Sequence, residues 1–461
     1  MNGLGTSQLP LRVAIIGAGP SGFFTAAALL RAEPQTEIAL FDRMPVPYGL
    51  VRYGVAPDHQ EIKRITKTFA RTAEAASVAF HGNLHVGRNV SLEELQRCFD
   101  VVILATGAEG ERPLGIPGAN LPGVYSANAF VGWYNAHPQF ADLAPDLSCK
   151  TAVLIGNGNV AVDVARVLLS SPSRLACTDI SSRALEHLRR NCIREVIILG
   201  RRSPAQASFT HAEVKELFSL DGVATVLDPT DFLFDEEDRV EAWHHPDPRH
   251  RQMIEDFLHL TTTSVPSAPR CLRFRFLRSP TEVRGTGHAQ ELLVSRNKLE
   301  GRAFERRTVA TGDTESIPCG LVVACVGFQG EPLPSIPVDP NTGAFQHDAG
   351  RVRVSGAPWL YATGWCKTGP RGLVGSSKKE SSETVATLLS DLPRIVPAPE
   401  RTTHMLLMRQ KKEGIKIFTF HDWRNLDQIE QARGRAAGKL REKIPSVPEM
   451  HLLAEQCSQQ Q

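Results

Sequence analysis

The chain has 461 residues, more than one hydrophobic core usually organises, so two or three domains are expected. With 42% hydrophobic residues, 22% charged residues and a net charge of +2, it has a globular composition and no general attraction to nucleic acid. No apolar run approaches the roughly 18 residues that would suggest a membrane span.

Met1 to Pro10 carries neither Lys nor Arg and no apolar core, so neither a secretory signal nor a transit peptide is expected there. Leu11 to Ile16 is apolar except for Arg12 and reads as a buried strand. It runs into Gly17-Ala-Gly-Pro-Ser-Gly22, after which apolar periodicity predicts a helix to about Arg31. A second strand, Glu37 to Asp42, follows at βαβ spacing. In such a unit, glycines at 17, 19 and 22 let the backbone approach a pyrophosphate, whose charge the helix N-terminus favours. Asp42, at the end of the next strand, is placed to accept the ribose hydroxyls.

Further on, Asp58 and Glu61 have the spacing of a helix N-cap and its N3 partner, which predicts a structural role for Asp58. Another strand ends in Ala105-Thr106-Gly107. The strand–turn–helix pattern then recurs: Thr151 to Ile155, the turn Gly156-Asn157-Gly158-Asn159-Val160-Ala161, and a helix to about Leu169. The next strand, Glu195 to Leu199, leads into Gly200-Arg201-Arg202, with no acid where a ribose would be held. Paired guanidiniums suit a 2′-phosphate, which accepts several charge-assisted hydrogen bonds, and so favour NADP over NAD.

Residues 221–269 are polar and poorly periodic, and read as surface elaboration. Strands are expected at Leu321 to Gly327 and at Trp359 to Thr363. The second of these precedes another glycine-rich turn, which places it back in the first domain. The fold expected is α/β, with two Rossmann-like dinucleotide-binding domains, the NADP domain inserted into the other. The expected boundaries are 1–107 and 328–461 for the first domain and 108–327 for the insertion. Nine cysteines, an odd number with no Cys-x-x-Cys pair, argue against a disulfide framework, a zinc ribbon or a protein-bound iron–sulfur cluster. No metal site is expected, and a reducing compartment is the default.

Longer matches identify a family. Pro47-Tyr-Gly-Leu-Val-Arg-Tyr-Gly-Val-Ala-Pro-Asp-His59 resembles the signature of adrenodoxin reductase and its bacterial ferredoxin–NADP reductase relatives. Phe130-Val-Gly-Trp-Tyr-Asn135, Gly200-Arg-Arg202, Phe209-Thr210, and Gly364-Trp365 with Gly369-Pro-Arg-Gly372 resemble that family too. The resemblance implies an NADPH-dependent enzyme that reduces FAD by two electrons and passes them singly to a ferredoxin. Carried over by position, Ala18, Asp42, Leu50 and Val86 would contact FAD, with Trp365 and Gly372, Leu373 and Val374 at the flavin. Asn157, Gly158, Asn159, Val160, Arg201, Arg202, Glu213 and Gly372 would hold NADP. His59 and Glu213 would flank the flavin and nicotinamide in tuning roles, since hydride transfer needs no protein acid. Gly372 to Gly375 precedes a helix expected at Ser376 to Leu389, whose N–H groups suit the charge that develops on flavin reduction.

The partner implied is a small iron–sulfur ferredoxin that docks transiently and electrostatically on a monomer. Arg249-His-Arg251 resembles in position a basic segment that the family uses for its partner, although Asp247 sits beside it. The mitochondrial matrix and the bacterial cytoplasm both fit. Rival readings are a disulfide reductase, which needs a redox-active dithiol beside the flavin, a diaphorase whose acceptor is a quinone or another small molecule, and a non-catalytic flavin-binding or docking subunit.

Overall fold

The computed structural model describes residues 3–32, 35–108, 110–263, 265, 267–340, 342–354, 356, 359–372 and 374–459. They form two compact units, one comprising Met1–Val55, His59–Glu111 and Phe328–Gln461, the other Ala56–Asp58 and Arg112–Gly327. Among the described residues, no helix is long and apolar enough to cross a membrane.

The first unit is built on a seven-stranded sheet. Four of its strands lie in the order Val78–Gly82, Thr36–Asp42, Leu11–Ile16, Val101–Leu104, all parallel, which is the order of a doubly wound nucleotide-binding fold. Leu360–Ala362 adds a fifth parallel strand beside Val101–Leu104, and two short antiparallel strands close that edge. Both faces of the sheet are covered. Leu11, Val13 and Ile15 enter one hydrophobic cluster, while Ala14 and Ile16 enter another. This two-sided burial explains why the segment reads as a continuous apolar run. The helix Pro20–Ala32 packs on the helix Val374–Asp391, which begins two residues before the position expected from sequence.

In the second unit six parallel strands follow the order Val124–Ser126, Leu321–Ala324, Thr151–Ile155, Glu195–Leu199, Arg270–Arg275, Val223–Leu227. Ala152, Leu154, Val196 and Ile198 face helices. Val153, Ile155, Ile197 and Leu199 face an antiparallel sheet of Arg278–Arg284, Glu291–Glu300 and Arg307–Pro318, packing against its Leu292, Val294 and Ile317.

Two sequence expectations need correction. Residues 221–269 are not surface elaboration: they supply the edge strand Val223–Leu227 and the helix Pro248–Thr262. His250, Met253, Ile254 and Phe257 of that helix are buried at the spacing of one helical face, and Phe257 joins an aromatic core with Phe209, Phe232, Phe274 and Phe276. Intervening Arg, Gln, Glu and Asp disguise that face in the sequence. Asp58 does not stand at the N-cap position expected of it. The short helix Gln60–Lys63 has His59 at its N-cap position without a side-chain cap, and Asp58 pairs with an arginine described below.

Candidate nucleotide-binding sites

The first glycine turn assigns its glycines different tasks. Gly17 leaves the strand at φ 111°, and a Cβ there would collide with the carbonyl of Ala105. A Cβ on Gly22 would collide with the carbonyl of Gly17. Gly19 differs, because a Cβ there would meet nothing nearer than Gly49 Cα at 4.0 Å. The chain itself therefore requires glycine at 17 and 22, while the opening at 19 is what a pyrophosphate approaching the backbone would use. Asp42 stands at the strand end as expected. Its Oδ2 accepts the N–H of Ala18 at 2.7 Å, and its Oδ1 that of Met44 at 2.8 Å, which orients the carboxylate.

The signature segment folds over this turn. Tyr48 holds a left-handed φ of 89°, a conformation costing a non-glycine residue roughly 1–3 kcal/mol. Tertiary contacts hold it there: its N–H donates to Ala18 O at 2.8 Å, and its ring packs on Phe23, Phe69 and Trp423. Leu50 follows, half-buried, on the helix Gly49–Tyr53. Arg52 on that helix is buried and donates to both oxygens of Glu430, at 2.9 and 2.5 Å, between the rings of Tyr53 and Trp423. Glu430 also accepts from Arg441 at 2.7 Å and from the N–H of Ile444 at 2.9 Å. Burial alone would push the Glu430 carboxyl up, but the two guanidiniums outweigh it and hold it below the usual carboxylate range. The signature loop is thus tied to the helix Phe420–Ala436. Val86 is buried within the same unit, and His59 is half-buried.

The third glycine loop returns to the first turn. A Cβ on Gly364 would collide with Ser21 Oγ, and Ser381 Oγ donates to Ser21 O at 3.1 Å. Trp365 is half-buried and stacks on Phe328, with ring centroids 5.9 Å apart. Gly372 is exposed and Val374 half-buried at the start of the long helix, whereas Leu373 lies outside the described residues. Cys366 is buried, donating to Leu104 O and Thr363 O, and burial pushes its thiol up. All nine cysteines are free.

The second turn repeats the division of labour. Gly156 has φ 138°, and a Cβ would collide with the carbonyl of Cys325, while Gly158 would meet nothing within 4 Å. The third position is Ala161, fully buried. Asn157 fills the space beside Gly200, and its buried Oδ1 accepts no hydrogen bond from the described residues. Asn159 Oδ1 accepts the N–H of Thr210 at 2.8 Å. Val160 is half-buried. At the end of the next strand the backbone is pinned, since Arg201 O accepts from Asn297 Nδ2 at 3.0 Å and Arg202 O from the N–H of Leu277 at 3.0 Å. Both guanidiniums are exposed, and neither has a carboxylate partner among the described residues. A fixed backbone carrying two uncommitted guanidiniums is suited to a phosphate.

Glu213, on the helix His211–Phe218, accepts from Arg166 Nη1 at 3.3 Å. Arg166 is enclosed and also pairs with Asp58 and Asp163. Sequence reasoning passed over this arginine, although a charged pair at 163 and 166 inside an otherwise apolar helix was the available signal. The expected basic patch is largely self-neutralised. Arg249 pairs with Asp247 at 2.8 Å and holds that carboxyl down at about 2. Arg251 pairs with Glu255 at 2.9 Å over the ring of Trp243, and His250 is buried.

A family model described as pyridine nucleotide-disulphide oxidoreductase matches residues 11–228. The mitochondrial NADPH:adrenodoxin oxidoreductase of Mus musculus is 42% identical over 460 residues, covering 96% of this chain and 92% of the relative. NADPH-ferredoxin reductase FprA of Mycobacterium tuberculosis is 41% identical, covering 96% of this chain and 98% of the relative. A solved structure of Mycobacterium tuberculosis FprA in complex with NADPH matches with a TM-score of 0.90 at 40% identity, covering 97% of this chain and all of that one.

Proposed function

The chain belongs to the adrenodoxin reductase family, and on that premise we propose that it oxidises NADPH and reduces a small iron–sulfur ferredoxin one electron at a time. Bound NADPH and FAD supply the redox chemistry: a hydride enters, and two carriers each leave with one electron, so that one proton is released per NADPH. The observation that carries this reading is the pair of glycine turns, each closed to a side chain at its first glycine and open at its second.

The residues divide the work as follows. Residues 1–107 with 328–461 hold FAD, and residues 108–327 hold NADP. Gly17, Ala18, Gly19 and Gly22 receive the flavin nucleotide's pyrophosphate on backbone N–H groups, while Asp42 takes the ribose. Leu50, Val86 and Trp365 shape the flavin pocket, and Gly372 with Val374 lets a helix N-terminus approach it. Gly156 to Val160 receive the second pyrophosphate, and Arg201 and Arg202 take the 2′-phosphate. His59 and Glu213 tune the field around the transferred hydride without donating a proton. The protein acts as a monomer, in the mitochondrial matrix or the bacterial cytoplasm, and its docking with the carrier is transient and electrostatic.

Anaerobic addition of NADPH to the purified yellow protein, followed by oxidised ferredoxins, tests the reading directly. Bleaching by NADPH and recovery of colour with two equivalents of carrier are expected. A flavin that stays oxidised under NADPH, or that reoxidises only with quinones, would sink it.

A further inference from the structure

One guanidinium in the second unit is shared by three carboxylates. Arg166 has no exposed side-chain surface; its Nε donates to Asp58 at 2.6 Å and its Nη2 to Asp58 at 3.2 Å and Asp163 at 2.7 Å, while its Nη1 donates to Glu213 at 3.3 Å. The three acids come from different elements. Asp163 lies one turn before Arg166 on the helix Asn159–Leu169, which begins at the second glycine turn. Glu213 lies on the helix His211–Phe218, and Asp58 is the last residue but one of the signature segment. The two helices are joined a second time near their starts, where Asn159 Oδ1 accepts the N–H of Thr210. The helix that starts at the nucleotide turn and the helix that carries Glu213 are therefore locked in one register.

A buried ion cluster is seldom retained for stability alone, because removing charges from water costs about as much as their attraction returns. Its planar fork lets one arginine serve three acids at once, a geometry that the compact ammonium of lysine cannot reproduce. We propose that Arg166 is a positioning residue for hydride transfer: it sets the Glu213 carboxylate relative to the turn that holds the pyridine nucleotide. The inference rests on the reading above, in which Glu213 faces the nicotinamide.

The test uses holoprotein carrying Arg166→Lys, Asp163→Asn or Glu213→Gln, and the double variant Arg166→Lys/Glu213→Gln. Flavin bleaching by NADPH is followed by stopped flow, with flavin content, NADPH dissociation constant and Tm measured alongside. Arg166→Lys is expected to slow bleaching about 100-fold, the scale of a catalytic group displaced by about 1 Å, while flavin content and NADPH affinity stay at parental values. Adding Glu213→Gln should slow it little further, because groups that act as one unit are non-additive. Should Arg166→Lys fail to fold, Asp163→Asn carries the test, since it frees one donor and leaves the other two acids in place; it should slow bleaching and be non-additive with Glu213→Gln. A lowered Tm with parental bleaching, or losses that multiply in the double variant, would overturn the proposal. Glu213→Gln at the parental rate would instead sink the assignment of Glu213. A slow Glu213→Gln beside parental Arg166→Lys and Asp163→Asn sinks only the role of Arg166.

Discussion

At Gly17 and at Gly156 the chain leaves a buried parallel strand by the same left-handed step, with φ 111° and 138°, into an open second glycine and a helix. The following strands then diverge. One ends at Asp42, whose carboxylate is held by two backbone N–H groups; the other ends at Arg201 and Arg202, whose backbone is pinned and whose guanidiniums are exposed. The buried networks nearby are opposite in kind as well: two arginines on Glu430 in the first unit, one arginine on three acids in the second. One scaffold thus serves two nucleotides. In the proposed reading the turn would receive what they share, a pyrophosphate, and the strand end would distinguish a plain ribose from a phosphorylated one.

The largest expected effects break the turns themselves. Gly17→Val or Gly156→Val drives a branched side chain into a carbonyl at a left-handed position, and should cost on the order of 3 kcal/mol or more, read as loss of soluble folded protein. Gly19→Val and Gly158→Val should behave differently, because the protein leaves room for the side chain. Gly19→Val should fold by circular dichroism yet purify colourless. Gly158→Val should stay yellow but fail to bleach with NADPH. A yellow Gly19→Val with a parental flavin ratio would refute the first assignment.

The next effect tests the strand ends. Charge-assisted hydrogen bonds contribute about 1.5–3 kcal/mol each, so replacing Arg201 and Arg202 together by Gln should lower kcat/KM for NADPH by roughly two to four orders of magnitude. Efficiency with NADH should change little. Equal losses with both nucleotides would show that the arginines do not read the 2′-phosphate.

This contrast was legible in the sequence because it depends on local order: strand, glycine spacing, then an acid or two arginines. The signature around Pro47 to His59 was equally visible, but its physical role was not. Nothing in that segment announces that Arg52 reaches Glu430, 378 residues away, or that Tyr48 adopts a left-handed backbone. Nor does the local spacing at Asp58 announce that its carboxylate pairs with Arg166, 108 residues away. The helix Pro248–Thr262 was missed because its buried face, His250 to Phe257, is diluted by charged neighbours. The antiparallel sheet spanning 278–318 was missed because strand Arg307–Pro318 is mostly exposed and polar, without a clean alternation.

A smaller effect is expected at the hydride site. His59→Ala and Glu213→Ala should each keep FAD and fold, and slow flavin reduction by about one to two orders of magnitude, the scale of a lost preorganised electrostatic group. Because Glu213 already accepts from Arg166, its removal should also lower Tm slightly. Stopped-flow rates equal to the parent in both variants would remove them from the site.

The smallest expected effect concerns docking, where the two units' surfaces are compared by charge. Ferredoxin-type carriers are commonly acidic, and the reductase must meet them transiently. The candidate segment offers Arg249 and Arg251, each exposed and each already facing a carboxylate, Asp247 and Glu255. An exposed pair of this sort is readily exchanged for a better anion, so the patch can still steer a carrier, though more weakly than two bare cations would. Replacing both arginines with Glu leaves Asp247 and Glu255 beside two new acids, and repulsion should lower kcat/KM for the carrier by roughly fivefold to tenfold through association. Oxidation of NADPH by a small uncharged acceptor should be unaffected. Salt provides the independent check: the Debye length falls from about 10 Å at 0.1 M to about 3 Å at 1 M, so carrier reduction should weaken over that range and the variant's salt dependence should flatten. Carrier kinetics identical to the parent at low salt would move the interface to the first unit. There Lys378 and Lys379 are exposed at the start of the helix Val374–Asp391, and among the described residues Lys379 pairs with Glu383 alone, at 3.9 Å.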